Sequence, residues 1–121
     1  MSPKKPKAEL IDLYLRFRWL LGGLNDLPSA ELLRVPATEA LLAEVVQAWR
    51  AGEARPINVL LAQKGLGHPN TIRRRIDQLQ SAGFVELQSD ATDSRVKRVI
   101  PTEQALRHLV RYASVIREIS K

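Results

Sequence analysis

The sequence predicts a mainly α-helical domain with one small β-hairpin, an α+β winged helix-turn-helix whose N- and C-terminal helices form a dimerisation layer. Three observations support this fold class. The apolar spacing gives the order helix, helix, short helix, helix, hairpin, helix. A tight linker from Gly65 to His68 joins the third and fourth helices. A chain of 121 residues has room for one core, so we expect a single domain at residues 8–121.

The first helix is expected at residues 8–24, after a disordered basic tail at residues 1–7. Its apolar side chains recur at the three-four spacing of an amphipathic helix: Leu10, Leu13, Tyr14, Phe17, Leu20, Leu21 and Leu24. Three more, Ile11, Leu15 and Trp19, widen the stripe beyond what one neighbouring surface covers. We therefore expect Leu13, Phe17 and Leu20 to lie in a homodimer interface.

The second helix is expected to begin with Thr38 as its N-cap and Glu39 in its first turn. Its apolar face consists of Leu41, Leu42, Val45, Val46 and Trp49. Gly52 is a typical helix terminator. This helix is predicted to lie in the core.

The helix-turn-helix is predicted at residues 57–82. A short helix runs from Ile57 to Lys64 with Val59 and Leu60 inward, and the next begins at Pro69 and runs to about Ala82, before Gly83. Apolar residues at 72, 76 and 79 form the inward stripe of this second helix. The second helix of such a motif is the one that enters the DNA major groove.

The outward face of that helix carries the candidate base contacts. At 100° per residue, Asn70 and Arg74 lie opposite the inward stripe, with Gln78 beside them and Thr71 and Arg73 on the flanks. Asn and Arg both make bidentate contacts to base edges, and Arg74 is the strongest candidate. The alternative is a solvated face, in which the arginines at 73–75 pair with Asp77 and Glu86.

The hairpin at residues 84–100 is the predicted wing. Its strands are Phe84–Leu87 and Val96–Ile100, around a polar tip at residues 88–95. Arg95 at the tip is a candidate for the minor groove, with Lys97 and Arg98 behind it as phosphate contacts. Two further candidate DNA contacts, Lys64 and His68, flank the turn of the helix-turn-helix.

The last helix is expected at residues 102–119, with Thr102 as its cap after Pro101 closes the second strand. Its apolar face consists of Leu106, Leu109, Val110, Ala113 and Ile116. We expect Leu109 and Ile116 to join the homodimer interface.

The stretch Asp93-Ser94-Arg95, with Thr102 seven residues after the arginine, resembles the D-x-R wing signature of MarR-type transcriptional regulators. Residues 71–86 also resemble that family's recognition helix and its continuation into the wing. The resemblance implies that Arg95 is a minor-groove arginine, that Asp93 orients it or stabilises the turn, and that Arg74 is the recognition-helix arginine. The sequence departs from the family pattern at Pro101 and Ala105, where Leu and Gly are usual.

Composition narrows the class of function. A net charge of +6 and a pI near 10.2 favour a polyanionic partner. The absence of cysteine and of an apolar leader favours a cytoplasmic protein that does not associate with membranes. The two histidines, His68 and His108, lie in different elements and have no acids at metal-ligand spacing. We therefore expect no enzyme, no metal site and no cofactor.

Together these features predict a sequence-specific, homodimeric, double-stranded DNA-binding regulator of transcription. Two alternatives remain open. One is a winged helix that docks an acidic protein partner, since fold does not fix function. The other is a weakly specific accessory protein of DNA packaging or replication. The sequence leaves open whether a small-molecule effector binds.

Overall fold

The computed structural model describes residues 7–24 and 30–119. The predicted tail lies outside these residues except for Lys7, whose carbonyl oxygen accepts hydrogen bonds from the amides of Leu10 and Ile11. No helix within the described ranges is both long and apolar enough to cross a membrane.

The described elements occur in nearly the predicted order, with one additional short helix. They are α1 (Ala8–Leu24), α2 (Ala30–Leu33), α3 (Pro36–Arg50), α4 (Ile57–Leu61), a 3-10 turn (Lys64–Leu66), α5 (Pro69–Ser81), β1 (Val85–Ser89), β2 (Lys97–Pro101) and α6 (Glu103–Ile119). The prediction of a mainly helical winged helix-turn-helix with one hairpin is confirmed.

The start of α3 differs from the prediction. The helix begins at Pro36 with Val35 as its N-cap, and no side chain caps it. Thr38 is buried inside the first turn instead of capping it. Proline at the first position explains the earlier start, because its fixed φ suits the helix and its missing N–H costs no hydrogen bond there.

The first helix of the helix-turn-helix is also shorter than predicted. α4 ends at Leu61, and the chain continues through the 3-10 turn to Gly67, which has a φ of 115°. Leu60 is fully buried, but Val59, which was expected to face inward, is exposed. Within α4, Leu60 is therefore the fully buried residue that packs in the core.

The core lies where α3, α4, α5 and the hairpin meet. Its fully buried residues are Leu41, Leu42, Leu60, Ile72, Ile76, Leu79, Phe84, Val85 and Val99. The predicted inward stripe of α5 is thus in the core. Ala105, one of the departures from the family pattern, is completely buried beside them. Burial of these side chains fixes which face of α5 remains outside.

The hairpin is antiparallel, with Val85 opposite Pro101, Leu87 opposite Val99, and Ser89 opposite Lys97. Because side chains alternate between the two faces of a strand, Lys97 shares the core-facing side with Val99, whereas Arg98 is on the other side. Residues Ala54–Pro56 run along the free edge of β2, where the amide of Val99 donates to the carbonyl of Arg55 at 2.9 Å.

The residues that connect the hairpin to α5 and α6 have the roles that the sequence predicts. Gly83 has a φ of 82°, which suits glycine at the end of α5. Thr102 is the predicted cap of α6: its Oγ1 accepts from the amide of Ala105 at 3.1 Å and donates to the carbonyl of Gly83. These contacts tie the wing to both helices that flank it.

The terminal helices α1 and α6 pack against each other and leave apolar surface outside. Leu13 and Ile116 are exposed, while Phe17, Leu20 and Leu109 are half-buried. Among the side chains of α1 that the structure describes, the most exposed large apolar one is Trp19, at 77%. Further exposed apolar residues of α1 are Leu10, Ile11, Tyr14 and Leu15.

Candidate nucleic-acid interface

The N-terminus of α5 is held by the residue before it. The Nδ1 atom of His68 accepts a hydrogen bond from the amide of Asn70 at 3.1 Å, so His68 is the N-cap. Pro69 then occupies the first helical position, where its lack of an N–H costs nothing. The first turn of α5 is therefore well formed at the end that a recognition helix presents to DNA.

The outward face of α5 matches the helical geometry expected from the sequence. Its exposed residues are Asn70, Arg73, Arg74, Asp77 and Gln78, and Thr71 is half-buried on the flank. Arg75 is also half-buried, and its Nη1 lies next to the turn at Gly67, 3.8 Å from where a Cβ would stand. The arginine run therefore divides into two outward side chains and one that covers the turn.

The two outward arginines, Arg73 and Arg74, are weakly engaged with other described residues of the chain. Arg73 lies 3.8 Å from Asp77, with both side chains more than half exposed. Such a surface pair contributes about 0–1 kcal/mol, so Arg73 is readily released for another partner. Arg74 makes no ion pair within the described ranges, and neither does Glu86. The alternative of a salt-bridged solvated face is thus supported by one weak contact only.

The wing tip presents one arginine to solvent in a fixed geometry. Asp93 Oδ1 accepts hydrogen bonds from the backbone N and the Nε of Arg95, both at 3.1 Å, and Asp93 Oδ2 accepts from Nη2 at 3.3 Å. Side-chain and backbone hydrogen bonds from Arg95 lower the pKa of Asp93. The side chain of Arg95 is nevertheless 90% exposed. It is oriented and accessible at once.

A cleft joins the recognition helix to the wing. It has a volume of about 390 Å³ and is lined by Ile57, Asn58, Leu61, Arg73, Arg95, Val96 and Lys97. Three cations from two different elements, Arg73, Arg95 and Lys97, therefore line one open depression. Lys97 also donates to Ser89 Oγ at 2.7 Å, and this hydrogen bond links its side chain to the opposite strand of the hairpin. Like charges converge where a polyanion is the complementary partner.

Asn58 is a cleft residue that no sequence pattern predicted. It lies on α4, is exposed, and belongs to no motif. Only the packing of α4 against α5 and β2 brings it beside the cations. Lys64 is exposed at the start of the 3-10 turn and does not line this cleft.

Arg98 is not brought to the cleft. It lies on the opposite side of the hairpin, half-buried, where its Nε is 2.7 Å from Asp90 Oδ1 and its Nη1 donates to the carbonyl of Ala54. A groove lined by Trp49, Arg55 and Gln88 contains it there. The predicted phosphate contact from Arg98 therefore has no support from its position.

A separate cavity of about 270 Å³ lies between α1, α3 and α6. Its lining is Phe17, Leu33, Glu39, Leu42, His108, Leu109, Tyr112, Val115 and Ile116. His108 is 6% exposed, and its buried Nε2 has no hydrogen-bond partner among residues 7–24 and 30–119. Burial lowers the pKa of His108, and the charge of Arg111 lowers it further. No pattern in the sequence predicted this cavity.

Among the described residues, no three His, Asp or Glu side chains come together in a way that could hold a metal ion.

The fold is similar to that of solved transcriptional regulators. The structure of MarR matches with a TM-score of 0.57 at 18% identity, over 92% of this chain and 74% of that one. The regulator BldR from Sulfolobus solfataricus gives 0.53 at 20% identity, over 99% and 83% of the two chains. PcaV from Streptomyces coelicolor gives 0.51 at 20% identity, over 99% and 81%. No protein-family model matches the sequence, and no curated protein is significantly similar to it. At these identities the likeness establishes a MarR-like winged-helix fold.

Proposed function

We propose that this MarR-like winged helix is a sequence-specific, double-stranded DNA-binding regulator of transcription. In the proposed complex α5 lies in the major groove and Arg95 enters the adjacent minor groove. The observation that carries the proposal is the cleft in which Arg73 of α5 and Arg95 and Lys97 of the wing converge. The solved regulators of this fold add weight to it.

The proposed contacts divide into two kinds. Arg73, Lys97 and Lys64 bind phosphates and contribute most of the affinity, which makes binding depend steeply on salt. Base preference comes from Asn70, Arg74 and Gln78 on α5, with Thr71 and His68 at its edge, and from Arg95 in the minor groove. Arg98 is omitted from this set, because its guanidinium is already occupied on the far side of the wing.

The regulator acts as a homodimer formed by the terminal helices. The exposed apolar face of α1, which includes Leu13, Leu15 and Trp19, is covered by a second copy in this proposal. Phe17, Leu20, Leu109 and Ile116, at or beside the contact of α1 with α6, complete the interface. A two-fold axis between copies presents two α5 helices to half-sites about one helical turn apart.

The cavity between α1, α3 and α6 is the proposed effector site. Its volume of about 270 Å³ and its mostly apolar lining suit a molecule with one aromatic ring. The unpartnered Nε2 of His108 supplies one polar anchor. Phenol should therefore raise the thermal midpoint more than toluene does, and His108→Leu should remove that difference. Equal shifts from both compounds would contradict the polar anchor.

The DNA-binding proposal is tested by anisotropy titrations of the full chain against a random duplex pool at several salt concentrations. With three phosphate contacts in each protomer the homodimer makes about six, so the log-log salt slope is expected near about −5.4, from about −0.9 per contact. A slope near zero would contradict the electrostatic part of the proposal. An acidic peptide that displaces the duplex poorly supports a DNA partner, whereas one that binds equally well in the Arg95→Ala variant favours a protein-docking module.

A further inference from the structure

Arg98 joins the wing tip to the body of the domain. Its Nε is 2.7 Å from Asp90 Oδ1, and its Nη1 donates to the main-chain carbonyl of Ala54, 44 positions earlier in the chain. Asp90 is the more deeply buried of the pair, with its side chain 17% exposed against 36% for Arg98. One guanidinium group thus bridges the start of the tip and the segment that precedes α4.

The other carboxylate oxygen of Asp90 organises the tip itself. Asp90 Oδ2 accepts from the amide of Thr92 at 3.1 Å, from Thr92 Oγ1 at 2.7 Å and from the amide of Asp93 at 3.2 Å. Hydrogen bonds from Thr92 and Arg98 hold the pKa of Asp90 well below its usual value. Asp93 in turn holds Arg95. The minor-groove candidate Arg95 is therefore connected to Arg98 through Asp93 and Asp90.

The segment on the other side of Arg98 is fixed to the helix-turn-helix. The side chain of Arg55 donates to Gln63 Oε1 at 3.1 Å and lies 3.2 Å from Glu44 Oε1. Gln63 also donates to Glu44 Oε1 at 3.2 Å, and it lies between α4 and the 3-10 turn. A continuous set of polar contacts therefore runs from the turn of the helix-turn-helix to Arg95.

From this network we infer that Arg98 is a positioning residue, which with Asp90 fixes the wing tip on the helix-turn-helix so that Arg95 is held at the cleft. The inference rests on the proposed function, because its effect on DNA binding passes through Arg95. A two-stranded hairpin is marginally stable alone, so its tip needs an anchor to the domain. A preorganised tip loses less conformational freedom when it binds.

The test is a double-mutant cycle between Arg98→Gln and Arg95→Ala, measured by anisotropy on a duplex selected with the native protein. Arg98→Gln alone is expected to weaken binding about threefold to tenfold, the cost of ordering one mobile arginine. The double variant should bind like Arg95→Ala alone. Lys97→Gln is the matched control, and its loss should add to that of Arg95→Ala. Additive losses for Arg98→Gln, with a shallower salt slope, would overturn the inference in favour of a direct phosphate contact.

A variant that keeps the charge at position 98 distinguishes positioning of the wing tip from electrostatic attraction to DNA. Lysine at position 98 keeps the positive charge but cannot span Asp90 and the Ala54 carbonyl with a planar fork. The inference predicts that Arg98→Lys weakens binding as much as Arg98→Gln does. Native affinity in Arg98→Lys would overturn it.

A measurement without DNA separates this inference from the proposed function. In the free protein, the backbone order parameters of Thr92, Asp93 and Arg95 should fall in Arg98→Gln and stay native in Lys97→Gln, at similar thermal midpoints. Unchanged order parameters in Arg98→Gln would overturn the positioning role even if DNA binds. A native protein that binds no duplex, with a tip that loosens in Arg98→Gln, would overturn the proposed function and support the positioning role.

Discussion

The carboxylate of Asp93 accepts three hydrogen bonds from Arg95, two from its guanidinium and one from its backbone amide, at 3.1 to 3.3 Å. The side chain of Arg95 is nevertheless 90% exposed. An exposed ion pair of this kind adds little to stability, because water and salt screen it. Its effect is on orientation: the guanidinium is held away from the body of the domain in one arrangement. Orientation without burial is what a side chain that must enter a groove requires.

Asp93→Asn is expected to weaken binding to a selected duplex by about 0.5–1.5 kcal/mol, because the asparagine can still accept from the Arg95 amide but no longer fixes the charged group. Anisotropy titrations measure the change, with Ser94→Ala as a neighbouring control. Tighter binding by Asp93→Asn would mean that the aspartate withholds Arg95 from DNA, contrary to the account.

Arg74→Ala is expected to cost about 1–3 kcal/mol at the preferred site and much less on random duplex, because a bidentate base contact discriminates between sequences. Arg73→Ala should instead weaken binding to both duplexes about equally and reduce the salt slope by about one unit per protomer, or about two for the homodimer. Equal losses on both duplexes for Arg74→Ala would demote Arg74 to a phosphate contact.

Trp19→Glu is expected to convert a homodimer into a monomer, because it places a charge in the most exposed part of the apolar face of α1. Sedimentation equilibrium of the full chain measures the mass. Trp49→Glu, which changes a partly exposed residue on α3, is the matched control and should remain dimeric. A native protein that sediments as a monomer at micromolar concentration would contradict the dimer.

The free energy of unfolding is expected to decrease as the pH is lowered from 7 to 5, because of His108. Burial and Arg111 lower the folded-state pKa of His108 below its ordinary value of 6.5. The unfolded chain therefore takes up a proton that the folded protein resists, so stabilisation is full above pH 6.5 and is lost as pH falls below it. Glu39 and Tyr112 line the same cavity, but they do not form hydrogen bonds with Nε2.

Urea unfolding at a series of pH values measures this dependence, and His108→Gln should flatten it. A native protein whose stability is constant across this range, or a variant that keeps the native pH dependence, would show that another group is responsible.

The sequence predicted features that depend on local rules. The inward stripe of Ile72, Ile76 and Leu79 follows from helical periodicity, and Thr102 caps α6 because its side-chain oxygen accepts from the amide of Ala105 in the first turn. Thr38 satisfied the same capping rule and is buried instead, because Val35 is the N-cap and Pro36 starts the helix three residues earlier than predicted. Local rules rank candidates for a role, and packing then selects among them.

The parts of the site that were not predictable depend on contacts between distant residues. Lys97 and Arg98 are adjacent and equally basic, and strand alternation places them on opposite sides of the hairpin, but only the packing of the hairpin against α4 and α5 decides which of the two lines the cleft. The inferred role of Arg98 further requires its hydrogen bond to the carbonyl of Ala54, a residue that no helix or strand periodicity in the sequence relates to it. Asn58 and His108 are likewise defined by which helices pack beside them.

The central claim is sequence-specific binding of duplex DNA, and in vitro selection of bound duplexes from a random pool tests it most directly. The account predicts enrichment of a pseudo-palindromic site with half-sites about one helical turn, or about 10 base pairs, apart. It also predicts that Arg74→Ala relaxes the selected sequence within each half-site. A pool that stays random after selection with the native protein would contradict the claim.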